Sequence, residues 1–155
     1  MKLWRLARPG RLVLNGEGAR LYGGRYSSPG RPVVSLASEA GLAVLVSLRY
    51  VLGDEAARDA EYLLGWAEVD ATPQRIDGGM RREETIAWVD EWLDSKRSLL
   101  AAIQSKVLPE ADVVFLNPLH PQAACVPPLA TRPFSFADCL HRPPALDQFN
   151  GSPVD

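Results

Sequence analysis

The nine residues Gly18–Tyr26 read GARLYGGRY, and no other part of the sequence is as distinctive. The consecutive glycines Gly23 and Gly24 let the backbone approach a ligand closely and direct its N–H groups towards an anion. Arg25 follows at once and can make a bidentate contact with a phosphate, while the ring of Tyr26 can pack against a flat ligand. Taken by itself, the spacing favours a simpler interpretation, a tight turn whose arginines are solvated.

A second polar segment lies towards the other end of the chain. Residues 116–121 read LNPLHP, so that Asn117 and His120 bracket a proline turn directly after an apolar run. By itself this pattern is typical of an Asx turn with a hydrogen-bonded histidine. His120 has no cysteine or carboxylate cluster at ligand spacing, so no metal site is predicted.

The composition is that of one globular domain. The chain has 155 residues, of which 46% are hydrophobic and 23% charged, and its formal net charge is −2. This length suits a single domain with its own core, and the near-neutral charge argues against a dedicated nucleic-acid binder. Two cysteines cannot build a disulfide framework. The sequence predicts neither a transmembrane helix nor a signal peptide, so the expected location is the cytoplasm.

The spacing of apolar residues predicts an α+β fold, a compact single domain of short strands with a few helices. The domain is expected to span residues 1–142, followed by a loose tail at 143–155. Ser38 is predicted to cap a helix that ends near Val51, and the longest helical pattern covers Glu83–Ile103. Loops are predicted at residues 16–18 and 73–82. The predicted strands are Lys2–Leu6, Pro32–Leu36, Tyr62–Val69, Ser105–Leu108, Val113–Leu116 and Phe134–Phe136.

The order and spacing of these segments resemble the RES domain family, the toxin component of a class of bacterial toxin–antitoxin systems. The resemblance covers residues 2 to about 140 and implies an ADP-ribosyltransferase-like core. It also implies that NAD is consumed by breaking the nicotinamide–ribose bond, with water, phosphate or a protein side chain as the acceptor. The matching residues are Leu3-Trp4-Arg5, segments 18–30 and 32–34, Trp92-Leu93, Ser105 with Pro109, and segments 116–121 and 133–136.

The resemblance further implies site residues and partners. Arg25 and Ser105 match the family's catalytic positions. NAD is the implied substrate, with no metal cofactor, no membrane and no direct contact with nucleic acid. A helix-turn-helix antitoxin is the implied protein partner, and a homodimer is plausible. The residues implied to contact NAD are Arg20, Gly23, Gly24, Tyr26, Ser35, Asn117 and His120.

The sequence departs from the family pattern where the chemistry needs it most. Ser35 stands where the family has a tyrosine, and Val46 stands where it has a glutamate. A shift of three residues replaces Val46 by Ala43, which is not an acid either. Glu39 lies seven residues before Val46, a distance of about 10 Å along a helix. The family asparagine before the LNPLHP segment is also absent, with Val113 in its place.

Two hypotheses therefore stay open. In the first, which the resemblance favours narrowly, the chain cleaves NAD and Glu17 or Glu39 supplies the missing carboxylate. In the second, the domain is catalytically impaired and retains nucleotide or antitoxin binding. Loss of the charge partner of a developing ribose cation can lower the reaction rate by a factor on the order of 10²–10³. The two hypotheses therefore predict measurably different rates.

Overall fold

The computed structural model describes residues 1–140, which contain seven strands and five α-helices. A 3₁₀ turn at Pro121–Cys125 precedes the last strand. The strands are β1 (Lys2–Ala7), β2 (Val34–Ala37), β3 (Tyr62–Glu68), β4 (Gln74–Arg75), β5 (Leu100–Gln104), β6 (Asp112–Leu116) and β7 (Ala130–Phe134). The helices are α1 (Glu17–Tyr22), α2 (Ala40–Leu48), α3 (Glu55–Asp59), α4 (Arg82–Ser95) and α5 (Phe136–Cys139).

All seven strands belong to one sheet in the order β4-β5-β6-β2-β1-β3-β7. Every neighbouring pair is antiparallel except β4 and β5, which run parallel. β1 pairs with β3 along its whole length but with β2 through the single register pair Trp4 and Ala37. The two central strands therefore share little of their ladder, and this is where the candidate site lies. The predicted α+β fold class is confirmed.

Helices cover the sheet through two separate apolar clusters. The α4 side chains Val89, Trp92 and Leu93 pack with Phe115 of β6 and with residues of β5. The indole Nε1–H of Trp92 donates to Ser98 Oγ at 2.8 Å, so this buried ring has its polar partner. Leu42 and Ala43 of α2 pack on β1 and β3 together with Phe136 of α5, the side chains in this second cluster including Leu6, Leu64 and Tyr62.

The longest predicted helix is wrong in its second half. Helix α4 ends at Ser95, and Lys96 adopts a left-handed conformation with φ 51°. The chain then enters β5, where Leu100, Ala101 and Ala102 are fully buried. A strand that is covered on both faces has no polar alternation, so its apolar run cannot be told from a helix by periodicity.

Several smaller predictions also need correction. Helix α1 begins at Glu17, inside the predicted loop at 16–18, and β4 lies inside the predicted loop at 73–82. Ser105–Leu108 is a turn rather than a strand. Glu39, not Ser38, is the N-cap of α2, and the Ser38 hydroxyl instead accepts the Asp112 N–H at 2.9 Å.

The end of the chain differs from its prediction too. β7 covers Ala130–Phe134 rather than Phe134–Phe136, because Ser135 ends the strand by capping α5 through the N–H of Asp138. The predicted tail at 143–155 lies outside the described residues. No helix within residues 1–140 is long and apolar enough to cross a membrane.

Candidate active site

A cavity of about 340 Å³ opens beside the point where β1 and β2 separate. Its size falls within the range of small-molecule sites, about 300–1,000 Å³. Helix α2 forms one wall, and the loop after α1 and the turn between β5 and β6 form others. The residues that line it include Trp4, Arg5, Gly24, Arg25, Tyr26, Ser27, Ser35, Ala43, Val46, Ser47, Arg49, Tyr50, Ser105, Lys106 and Phe115.

The glycine pair shapes the loop that brings Arg25 to the cavity. Gly23 has φ 73° and closes α1 by donating its N–H to the carbonyl of Ala19 at 2.8 Å. Gly24 donates to the Ser27 carbonyl at 3.0 Å, and a Cβ there would lie 2.8 Å from Ser27 Oγ. A side chain at either glycine would therefore disturb the loop, because L-residues rarely adopt the conformation at Gly23 and a Cβ at Gly24 would displace the Ser27 hydroxyl.

Aromatic packing fixes the next residues of the loop. The Tyr26 ring meets Phe115 of β6 edge-on, with 6.0 Å between ring centroids. The Arg25 guanidinium lies 5.4 Å from the centre of the Tyr26 ring. Ser27 is buried, and its hydroxyl has no hydrogen-bond partner among residues 1–140. An unpartnered buried hydroxyl next to a cavity is a group that a ligand can satisfy.

Helix α4 anchors the far side of this loop. Asp90 Oδ1 accepts the N–H of Ser28 at 3.0 Å, and the same carboxylate lies 3.7 Å from the Arg31 guanidinium. Arg31 also makes two hydrogen bonds of 2.8 Å to Asp94, which lower the pKa of that carboxyl. The loop that presents Arg25 is therefore tied to α4 from more than sixty residues away in sequence.

We predict that Asp90→Ala lowers the free energy of unfolding by about 1–2 kcal/mol, because it removes a charge-assisted hydrogen bond from a mostly buried carboxylate. Asp94→Ala is the matched control, since it removes a carboxylate of the same helix that is 57% exposed. Its cost is expected to stay below about 1 kcal/mol. Urea unfolding of both variants measures the difference, and equal losses would contradict the anchoring role of Asp90.

Ser105 lies in the turn between β5 and β6 and is buried at the cavity. Its hydroxyl oxygen accepts the backbone N–H groups of Val107 and Leu108 at 3.3 and 3.2 Å. These bonds hold the oxygen in place and leave the hydroxyl proton available for donation. The turn that replaces the predicted strand is thus what positions this side chain.

The charge of the cavity is one-sided. Of the lining residues in the described range 1–140, four are cationic, namely Arg5, Arg25, Arg49 and Lys106, and none is acidic. None of the four forms an ion pair within the part of the chain that the structure describes, and burial lowers the pKa of the Arg5 guanidinium. By contrast, six arginines outside the cavity pair with carboxylates, at positions 20, 31, 58, 75, 81 and 97. Unpaired cations in a cavity favour an anionic ligand.

A family model, that of the RES domain, matches residues 2–137 of this chain. The chain belongs to the RES domain family. "Toxin Res" of Photorhabdus laumondii subsp. laumondii is 31% identical over 113 residues, which covers 68% of this RES domain chain and 72% of that protein. The "Prs ADP-ribosylating toxin" of a Sphingobium species is 31% identical over 139 residues, covering 77% of this chain and 84% of that one.

A solved structure supports the fold of this RES domain. A chain from the crystal structure of the M. tuberculosis MbcT–MbcA toxin–antitoxin complex superposes with a TM-score of 0.69 at 17% sequence identity. The superposition covers 88% of this chain and 85% of the other. At this identity the likeness establishes the shared fold.

The structure brings together most of the residues that the sequence singled out in this RES domain. Those that line the cavity are Gly24, Arg25, Tyr26, Ser35 and Ser105. Arg20 and Gly23 are not among the lining residues, and Arg20 instead binds Glu17 on the exposed face of α1, with 2.8 Å between Nε and Oε2. Their predicted contacts with NAD stay predictions.

Asn117 and His120 lie away from the cavity lining. Asn117 is fully buried, its Nδ2 donates to the Leu93 carbonyl at 3.0 Å, and its Oδ1 accepts the Leu119 N–H at 3.0 Å. His120 caps the 3₁₀ turn by accepting the Gln122 N–H at Nδ1. Both side chains are thus engaged locally, and nothing in their geometry adds support to their predicted role in NAD binding.

Among residues 1–140, no acid lines the cavity of this RES domain, although the family resemblance calls for one. Val46 lines the cavity, and so does Ala43, the position reached by shifting the alignment. Neither Glu17 nor Glu39 is among the lining residues, and hydrogen bonds from Arg20 lower the pKa of the Glu17 carboxyl. Within residues 1–140, no cluster of three or more His, Cys, Asp or Glu side chains could hold a metal ion.

Sequence reasoning gave no role to three of the lining cations, Arg5, Arg49 and Lys106. Arg5 carried a usable signal, because it is a charged residue between the apolar neighbours Trp4 and Leu6 of a predicted strand. Arg49 and Lys106 carried none, since single basic residues near the end of a helix and in a turn are ordinary surface features.

Proposed function

We propose that this RES domain is the toxin component of a toxin–antitoxin system and acts on NAD by breaking its nicotinamide–ribose bond. The names of the related toxins support the toxin role, and the structural relative comes from a toxin–antitoxin complex, which supports an antitoxin as partner. By the family resemblance we expect that antitoxin to be of the helix-turn-helix type.

The observation that supports NAD as the ligand is the set of four cations that line the cavity and have no ion-pair partner among residues 1–140. NAD offers a pyrophosphate, which suits the arginine fork of Arg25. The loop of Gly24 and the unpartnered hydroxyl of Ser27 lie beside Arg25 and can add short-range contacts. The nearby Ser105 hydroxyl can donate to a ribose oxygen or to the incoming acceptor.

The proposed reaction changes one bond of the dinucleotide. The bond between nicotinamide N1 and ribose C1′ breaks, its electron pair stays with nicotinamide, and the positive charge of the pyridinium moves to the ribose. An acceptor oxygen from water, phosphate or a protein side chain then bonds to C1′ and loses its proton. The ribose cation is the species that a carboxylate would stabilise.

A second candidate function is binding of the nucleotide or the antitoxin without appreciable turnover. The specific observation in its favour is that Val46 and Ser35 stand at the positions where the family resemblance places a glutamate and a tyrosine. Cationic walls bind the pyrophosphate but repel a ribose cation. The cavity is therefore better suited to holding NAD than to speeding its cleavage, and turnover is expected to be slow.

Release of nicotinamide from NAD by the purified protein tests the proposal. We predict slow release above a heat-killed control, assayed with and without phosphate. Arg25→Ala is expected to weaken NAD binding at least about tenfold, because a charge-assisted bidentate contact is lost. Arg58→Ala is the matched control, since Arg58 binds Asp59 on the surface away from the cavity.

Three outcomes separate the candidates. Release that falls in Arg25→Ala but not in Arg58→Ala supports the enzyme. Tight NAD binding with no release under either condition rejects the enzyme and leaves the binding module. Neither release nor NAD binding by the wild-type protein rejects both nucleotide functions.

A further inference from the structure

One stripe of α2 faces the cavity and continues past the end of the helix. Ala43, Val46 and Ser47 line the cavity from the helix, and Arg49 and Tyr50 line it from the turn that follows. The Tyr50 N–H donates to the Ser47 carbonyl at 3.0 Å, so the backbone stays coiled through this turn. Tyr50 therefore lies about one helical turn beyond Val46 on the same side.

Tyr50 differs from the other aromatic residues of the cavity because its ring packs against no other ring within residues 1–140. Tyr26 and Phe115 pack against each other, and Trp4 packs on Trp66 with ring centroids 5.6 Å apart. Tyr50 is 75% exposed, although it lines the cavity. An aromatic ring that borders a cavity but packs against no other ring has a face available to a ligand.

Arg49 supplies a charge at the same place. Its guanidinium lies 5.9 Å from the centre of the Tyr50 ring and forms no ion pair within residues 1–140. A ring that has a cation over one face and borders a cavity can stack its other face on a planar heteroaromatic group. The neighbouring cation can then bind the phosphate that a nucleotide carries close to its base.

We propose that Tyr50 and Arg49 form a nucleotide subsite at the cavity mouth, in which Tyr50 stacks on a heteroaromatic ring and Arg49 contacts the adjacent phosphate. This inference rests on the proposed function and deepens it. The ring can be the nicotinamide or the adenine of the dinucleotide. Ser35 provides no aromatic surface where the family resemblance places a tyrosine, and Tyr50 can supply one from the turn after α2.

Calorimetric titration of the full chain with NAD tests the subsite. Tyr50→Ala is expected to weaken NAD binding about tenfold, the size of effect seen when a base-stacking ring is removed. Tyr50→Phe keeps the ring and is expected to bind within about twofold of the wild-type protein. Tyr22→Ala is the matched control, because Tyr22 is 83% exposed and is not a lining residue.

Separate titrations with AMP and with nicotinamide mononucleotide identify the ring. A loss in Tyr50→Ala that appears with AMP alone assigns adenine, and one that appears with nicotinamide mononucleotide alone assigns nicotinamide. Unchanged binding of all three probes to Tyr50→Ala overturns the subsite. This failure is distinct from failure of the proposed function, because nicotinamide release by the wild-type protein would persist in the first case and be absent in the second.

Discussion

Replacing Val46 by glutamate and Ser35 by tyrosine together is expected to raise the rate of nicotinamide release about 10²–10³-fold. Val46 lines the cavity on the same stripe of α2 as Ala43, so a carboxylate there would face the cavity in which we propose that NAD binds. The surrounding cations keep that carboxylate ionised, because opposite charges nearby favour the charged form. Its negative charge then offsets the positive charge that develops on the ribose.

Two controls separate this effect from a general change in charge. Val46→Gln with Ser35→Tyr has nearly the same shape but no charge, and its rate is expected to stay near that of the wild-type protein. Leu45→Glu adds an acid to the same helix at a position that is exposed and is not a lining residue. A rate increase in either control, or equal rates for wild type and the glutamate variant, would contradict the role assigned to position 46.

The strands and helices that could be predicted are those whose burial is one-sided or whose ends are marked. β3 and β6 follow their predicted ranges within one residue because turn residues bound both apolar runs. β5 could not be predicted because both of its faces are buried. Leu100 packs into one apolar cluster and Ile103 into another, on opposite sides of the sheet. Its position depends on pairing with β6, a long-range contact that leaves no mark on local spacing.

The candidate site was predictable where one segment carries it and not where distant segments meet. Gly24, Arg25 and Tyr26 are adjacent in sequence, and all three line the cavity. Other elements supply Arg49, Tyr50 and the anchoring carboxylate of Asp90. Only the tertiary structure shows that the first two line the same cavity and that Asp90 holds the loop. Asn117 belongs to a distinctive motif too, but its side chain is buried and hydrogen-bonded to the backbone of Leu93 and Leu119, and its predicted contact with NAD stays a prediction.

Asn117→Ala is accordingly expected to lower the free energy of unfolding by about 2–3 kcal/mol. The substitution leaves the buried Leu93 carbonyl and the part-buried Leu119 N–H without their partner, and an unsatisfied buried group costs about 1–3 kcal/mol. Leu93 packs with Trp92 and with residues of β5. The side-chain amide of Asn117 therefore links α4 to the end of β6 at Leu116. Urea unfolding measures this loss directly.

His120→Ala provides the comparison within the same motif. His120 is partly exposed and caps only a short 3₁₀ turn, so its removal is expected to cost about 1 kcal/mol or less. If Asn117 is a structural residue, NAD affinity per folded molecule stays unchanged in Asn117→Ala while its stability falls. Wild-type stability combined with weakened NAD binding would instead return Asn117 to the nucleotide site. The LNPLHP turn would then have to rearrange on binding, because the Asn117 side chain is buried between Leu93 and Leu119.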